Sequence, residues 1–203
     1  MTKNFPVSGS SYICWIDSLK NRVRIRTRSR IEADYCITNE FNKEVIQYRY
    51  EPFWVGNTAY DNVYHQSKPD FLLETTRGQF IVEVKYIAHL NKDHTKKQIA
   101  IDRAFAEEKG IEFLILTETE IYKESNFHNI KLFWRYARLE LPNSYINSII
   151  TYLCSQSKPI TFRNLACFLA KNRETLDYSP VIYNLLFLHI LEMDMTERIS
   201  LES

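Results

Sequence analysis

Glycine is scarce in this chain. Its only four residues, Gly9, Gly56, Gly78 and Gly110, are isolated from one another. A Walker-type phosphate loop or a dinucleotide fingerprint needs clustered glycines, so nucleotide hydrolysis and nicotinamide chemistry are argued against. Cysteine is sparse too. Cys14, Cys36, Cys154 and Cys167 form no close pair and read as buried free thiols rather than a zinc knuckle or a disulfide frame. The five histidines lack metal-ligand company, and His89 and His94 are expected at the surface around a helix start. No apolar run approaches the length of a bilayer span. The longest, VIYNLLFLHIL, is interrupted by Asn184 and His189, and the opening MTKNFPVSGSS has no signal core. The expected setting is a reducing cytosol without membrane contact.

Net charge is also lacking, with 26 Lys and Arg against 25 Asp and Glu. Any nucleic-acid surface must therefore be local, and one end supplies a candidate. In RVRIRTRSR the residues Arg22, Arg24, Arg26, Arg28 and Arg30 alternate, so an extended strand would present them as one comb. Such a comb is either a charged, aggregation-resistant edge or a phosphate-tracking arm. Lys96 and Lys97 join the arginines as candidate DNA contacts.

Along the chain, SRIEADYCITNEF reads as a helix opened by Ser29, and EVIQYRYEPF as a strand ended by Pro52. KPDFLLETTRGQFIVEVKY reads as a hairpin turning at Arg77-Gly78. HTKKQIAIDRAFAEEKG is an amphipathic helix with Ile99, Ala100, Arg103, Ala106 and Glu107 in register, stopped by Gly110, and IEFLILT is a buried strand. IKLFWRYARLE is a further, bridging helix. LPNS then punctuates the chain and sets a boundary between residues 1–140 and 141–203. Beyond it, three short helices and a terminal hairpin in EMDMTERISLES suggest a winged-helix module.

The hairpin carries the chemistry. In FIVEVKY, Glu83 and Lys85 share one face of a strand, about 6.5–7 Å apart. A turn at Arg77-Gly78 places Asp70 opposite Lys85 and Leu72 opposite Glu83, so that Asp70, Glu83 and Lys85 cluster. Clustered carboxylates raise each other's pKa unless a cation lies between them. Oxygen ligands of this kind suit Mg²⁺, and a neighbouring lysine could orient an attacking water, which together would hydrolyse a phosphodiester. The plain alternative is a surface ion pair.

Pro69-Asp70 followed by Glu83-Val84-Lys85, within a helix–strand–strand–strand–helix–strand order, resembles the PD-(D/E)xK nuclease fold. Within that superfamily the chain is similar to TnsA, the endonuclease subunit of heteromeric cut-and-paste transposases. TRSRIEADY before the core, the YRYEPF strand and the tail carry the likeness. The fold it implies is α/β, a restriction-endonuclease-like mixed sheet flanked by helices, with a small C-terminal winged helix. The resemblance implies Asp70 and Glu83 as Mg²⁺ ligands (Mn²⁺ substituting), helped by the Val84 carbonyl, with Lys85 assisting the water. It also implies that Glu32 is a catalytic carboxylate reaching the metal site, as a further candidate ligand; from the residues alone Glu32 reads as the acid of a Ser29-x-x-Glu32 capping box. One departure is that the best-known TnsA pattern has Gln where Glu83 stands. The implied activity is cleavage of transposon 5′ ends in bacterial cytosol, with a TnsB-like transposase and a TnsC-like AAA+ ATPase regulator as partners. Rival readings are a stand-alone restriction or repair nuclease, and a non-catalytic DNA-binding or assembly protein.

In the tail, the segment from Pro180 to Glu192 holds no Lys or Arg. Tyr183, Asn184 and Phe187 are expected to face outward as a protein-docking surface, with Lys171 and Arg173 near DNA phosphate. The alternative is that this whole helix is core.

Overall fold

The computed structural model describes residues 12–123, 126–171 and 178–200. The chain divides into two compact units, Met1–Ile121 and Tyr122–Ser203.

The first unit opens with a hairpin of β1 (Cys14–Asp17) and β2 (Arg24–Thr27), followed by helix α1 (Arg30–Phe41) and strand β3 (Val45–Tyr50). Two short strands, β4 (Val55–Asn57) and β5 (His65–Ser67), form a separate flap. Then come β6 (Phe71–Thr75), β7 (Gly78–Val84), a one-turn helix α2 (Ile87–Leu90), the long helix α3 (Asp93–Lys109), β8 (Glu112–Leu116) and the short α4 (Glu118–Ile121). The main sheet has the order β3-β6-β7-β8, with β7 and β8 parallel and the other neighbours antiparallel. The parallel step requires a crossover, and α3 provides it. Gly110 ends that helix at φ +66°, a left-handed conformation that costs glycine nothing.

Alternation along the strands sends the two faces of the sheet to different helices. Phe71 meets Tyr35 of α1, with ring centroids 5.0 Å apart, and Val82 and Val84 share its face. Leu72 and Ile81 face the other way and pack with Ala106 of α3, together with Phe53, Phe105 and Phe113. Asp70, Glu83 and Lys85 have the parity of this second face, so α3 covers them.

The hairpin register differs from the one read from the sequence. Thr75 pairs with Gly78 and Phe71 with Val82, so Thr76-Arg77 forms the turn. Gly78 enters the strand at φ +130°. Asp70 therefore lies at the level of Glu83 rather than Lys85. The displacement is two residues, an even number, and leaves every side chain on its expected face. The helical register of α3 also differs: Thr95, Ile101, Asp102 and Ala106 are its buried residues.

The second unit contains α5 (Asn126–Trp134), α6 (Asn143–Cys154), α7 (Phe162–Lys171) and α8 (Ser179–Phe187). The helix read as a bridge thus belongs to this unit. Tyr152 of α6 stacks on Phe168 of α7 at 3.8 Å, and Trp134 and Phe187 approach to 5.6 Å. The expected terminal hairpin is not formed by the described residues, since 188–200 contain no strand. Asn129 takes up that segment instead, donating from Nδ2 to the Glu197 carbonyl and accepting from the Ile199 amide. All four cysteines are free, but only Cys36 is buried; Cys154 and Cys167 are exposed. Among the described residues no helix is long and apolar enough to cross a membrane.

Candidate active site

Asp70 follows Pro69 at the head of β6, and Glu83 and Lys85 lie at the end of the adjacent β7. The strands bring them together. Lys85 Nζ stands 2.6 Å from Asp70 Oδ2 and 2.7 Å from Glu83 Oε2. Glu83 Oε1 accepts from the Asp70 amide at 3.0 Å, and Asp70 Oδ2 accepts from the Val84 amide at 2.9 Å. This is no exposed ion pair, because Glu83 is 0% exposed and Asp70 is buried.

Burial sets the electrostatics. Loss of solvent pushes the Asp70 carboxyl up to about 7, reinforced by the charge of Glu83, while Lys85 pulls against the rise. Glu83 is likewise raised to about 7 by burial, against the pull of Lys85 and with a further push from Asp102. Burial works to discharge Lys85, but the two carboxylates outweigh it and hold the ammonium above its ordinary value.

Asp102 was not singled out in the sequence. It lies on the covered side of α3, fully buried, with its carboxylate against that of Glu83 and Oδ2 accepting from Ser67 Oγ at 3.1 Å. Burial raises it to about 6. The signal that could have found it is an acid inside an amphipathic helix, one position from the core residue Ile101. Glu83 Oε2 has no hydrogen-bond partner beyond its ion pair with Lys85, and Asp102 Oδ1 has none. Buried carboxylate oxygens gathered here, neutralised only by Lys85, are of the chemistry that suits a hard cation. Among the described residues no three His, Cys, Asp or Glu side chains group as metal ligands. The protein thus offers Asp70 and Glu83, the one or two carboxylates that Mg²⁺ typically takes alongside water and phosphate.

The site opens into a cleft of about 740 Å³ lined by Arg28, Glu32, Tyr50, Glu51, Trp54, Tyr60, Lys68, Lys97 and others, with Asp70 and Lys85 in its wall. Glu32 sits in this wall and also serves the helix start. Its amide donates to Ser29 Oγ at 3.3 Å, and its Oε2 accepts from the Arg28 amide at 2.9 Å and from Tyr50 Oη at 2.7 Å. These contacts fit the reading of Glu32 as a helix-start acid, and its carboxylate also lines the cleft that holds Asp70 and Lys85. Glu51, also unremarked in the sequence, fixes two cleft cations, with Arg28 and Lys68 each 3.0 Å from its carboxylate.

The arginine comb is shorter than expected. Arg24, Arg26 and Arg28 are exposed and alternate with buried Ile25 and Thr27. Arg22 leaves the strand in a turn at φ 55°, and Arg30 begins α1, where it meets Asp34 at 3.7 Å. Lys97 lines the cleft, whereas Lys96 is exposed outside its lining.

The docking face expected on α8 is not presented. Asn184 is 1% exposed and donates to the Tyr136 carbonyl at 2.8 Å, and Phe187 is 6% exposed. Tyr183 is half-buried against Phe133 at 5.9 Å. The continuous apolar run of this helix buries it on nearly all sides. Arg173 lies outside the described residues; Lys171 is exposed at the end of α7.

Residues 42–118 match the family described as TnsA-like endonuclease N terminal. The segment runs from the end of α1 into α4. It contains Asp70, Glu83, Val84, Lys85 and Asp102, but neither Glu32 nor the arginine hairpin. The match covers less than half of the chain, and over that segment the chain is similar to a TnsA-like endonuclease N-terminal domain. No curated protein matches the chain.

Proposed function

We propose that this protein is the metal-dependent endonuclease subunit of a heteromeric transposase, cutting the 5′ strands at transposon ends. The observation that carries the reading is the Lys85 ammonium set between the buried carboxylates of Asp70 and Glu83, in the wall of a cleft that also presents Arg28, Lys68 and Lys97 alongside Glu32, Glu51 and Asp93. The match at residues 42–118 supports an endonuclease, and the resemblance stated for the sequence supports the transposase setting.

Asp70 and Glu83 would hold Mg²⁺ or Mn²⁺, with the Val84 carbonyl beside them. When bound, such an ion polarises the phosphodiester and makes its water a stronger nucleophile. Lys85, 2.6 and 2.7 Å from the two acids, would stand beside the reacting groups. There it orients the water and offsets the negative charge that builds on the phosphoryl oxygens. The water oxygen bonds to phosphorus, one P–O ester bond breaks, and the leaving oxygen takes up a proton. Arg28, Lys68 and Lys97 hold flanking phosphates, and Arg24 and Arg26 extend that track away from the cleft. Glu32 anchors the cleft wall through Tyr50 and the Arg28 amide.

The partners are a TnsB-like transposase for the 3′ strands and a TnsC-like ATPase regulator. A winged-helix reading of the second unit rests on α6, α7 and α8 alone. Without Lys or Arg, and largely buried, α8 is poorly suited to reading a major groove and leaves no face of its own for docking. The test is strand-specific cleavage of transposon-end DNA by the full chain with its transposase and ATPase. Strong, 5′-strand cutting in the assembly and negligible cutting by the chain alone are expected. Robust cleavage of arbitrary duplex by the isolated chain would favour a stand-alone nuclease instead.

A further inference from the structure

We infer that Trp54, with Tyr60 in the lining of the same cleft, stacks on a nucleotide unpaired from its duplex next to the scissile phosphate, so that the site acts on DNA opened or distorted at the cut. The inference rests on the nuclease reading for the identity of the polymer.

Trp54 is held in the open by its neighbours. Phe53 packs on Phe105, with ring centroids 5.4 Å apart, and Val55 is buried at the start of β4. With the residues on both sides turned inward, backbone alternation turns Trp54 outward, where it is 67% exposed. It is not a core residue that failed to find a core.

Its exposure is into the cleft that holds Asp70 and Lys85. Two ring–ammonium pairs stand there, Lys68 Nζ 5.6 Å from the Trp54 ring centroid and Lys97 Nζ 5.6 Å from that of Tyr60. Lys68 is further fixed by Glu51 at 3.0 Å. A flat apolar face beside a fixed cation matches the repeating unit of a nucleic-acid strand, a base beside a phosphate. An apolar protein partner would instead have to bury Arg28, Lys68 and Lys97.

The flap that follows Trp54 is tied to α3. Asn57 Nδ2 donates to the Ile101 carbonyl at 2.9 Å, and Ser67 Oγ donates to Asp102 at 3.1 Å. The aromatic platform therefore has a fixed position relative to Asp70 and Glu83. A base inside an intact duplex has both faces covered by its neighbours, and its grooves offer edges only. An indole can take a base face only from a nucleotide that has left the stack.

The experiment measures binding by the full chain to two duplexes, one fully paired and one with a short mismatched bubble carrying 2-aminopurine. Ca²⁺ replaces Mg²⁺ so that binding is read without cutting. Tighter binding to the bubble and quenching of its fluorescence are expected. Trp54→Ala should weaken bubble binding by about 5- to 100-fold, the range that stacking on one base supplies, and abolish the quenching. Trp54→Phe should keep most of the affinity, and binding to the paired duplex should change little in either variant. Equal weakening on both duplexes, or no preference for the bubble, would overturn the inference. Trp54-dependent binding without Mg²⁺-dependent cleavage in the assembly would leave it standing and remove the nuclease reading. Cleavage indifferent to Trp54 would do the reverse.

Discussion

Asp70 and Glu83 clasp each other through the backbone: the Asp70 amide donates to Glu83 Oε1 at 3.0 Å, and Asp70 Oδ2 accepts from Val84, the residue after Glu83. The carboxylates are thus positioned by the hairpin that carries them and stay together without a ligand. The same enclosure raises both to about 7, so near neutrality the metal-free site is held against their charge.

That tension gives a pH-dependent stability with a definite sign. Both acids bind a proton more tightly folded than unfolded, so their contribution is fully present below the ordinary carboxylate range, near pH 4. It is lost as pH rises through about 7. Glu83→Gln should therefore raise the Tm of the metal-free chain at pH 8, by about 2–6 °C, and change it little at pH 5. Thermal unfolding at the two pH values checks this, and an equal shift at both would contradict it.

Asp102 should act on the reaction through Glu83. Its carboxylate helps hold that of Glu83 high, so Asp102→Asn should lower the pH at which Glu83 ionises. The acid limb of the pH–rate profile should move to lower pH, and DNA affinity should stay unchanged. A merely structural role would lower the rate at every pH alike.

Glu32 has two jobs that isosteric substitution separates. Glu32→Gln retains an acceptor for the Arg28 amide and Tyr50 hydroxyl, whereas Glu32→Ala loses the helix-start contacts at about 1 kcal/mol. If the charge matters to the chemistry, Gln should cut cleavage by at least about tenfold with little change in Tm, since a positioned acid–base group contributes on the order of 10²–10⁴. Equal activity of wild type and Glu32→Gln would reduce Glu32 to a cap.

Much of the site was legible because strand parity is a strong local constraint. Two charged residues in FIVEVKY, two apart, had to share a face, and a proline-led acid on the partner strand had to join them. The register was misread by two residues because Gly78 looked like a turn residue, whereas the hydrogen bonds begin at it. Asp102, Glu51 and Trp54 escaped notice because their significance is tertiary. Asp102 gains its place from the packing of α3 on the sheet, and Glu51 from its pairing with Arg28 and Lys68, residues distant in the chain. The same holds for α8: helical periodicity suggests an outward face, but in the fold none of its residues is exposed. The wing was expected from alternation in EMDMTERISLES, and the Asn129 side chain takes up the backbone of that segment instead.

The central claim is that Asp70, Glu83 and Lys85 hydrolyse a phosphodiester with a divalent ion. It is tested most directly by following 5′-strand cleavage of end-labelled transposon-end DNA by the assembled complex. Wild type, Asp70→Asn and Lys85→Ala would be compared in Mg²⁺, in Ca²⁺ and in chelator. We expect cutting by wild type in Mg²⁺ alone, with Ca²⁺ supporting little and both variants inactive while still folded and assembled. Undiminished cleavage in chelator, or full activity in either variant, would contradict the claim.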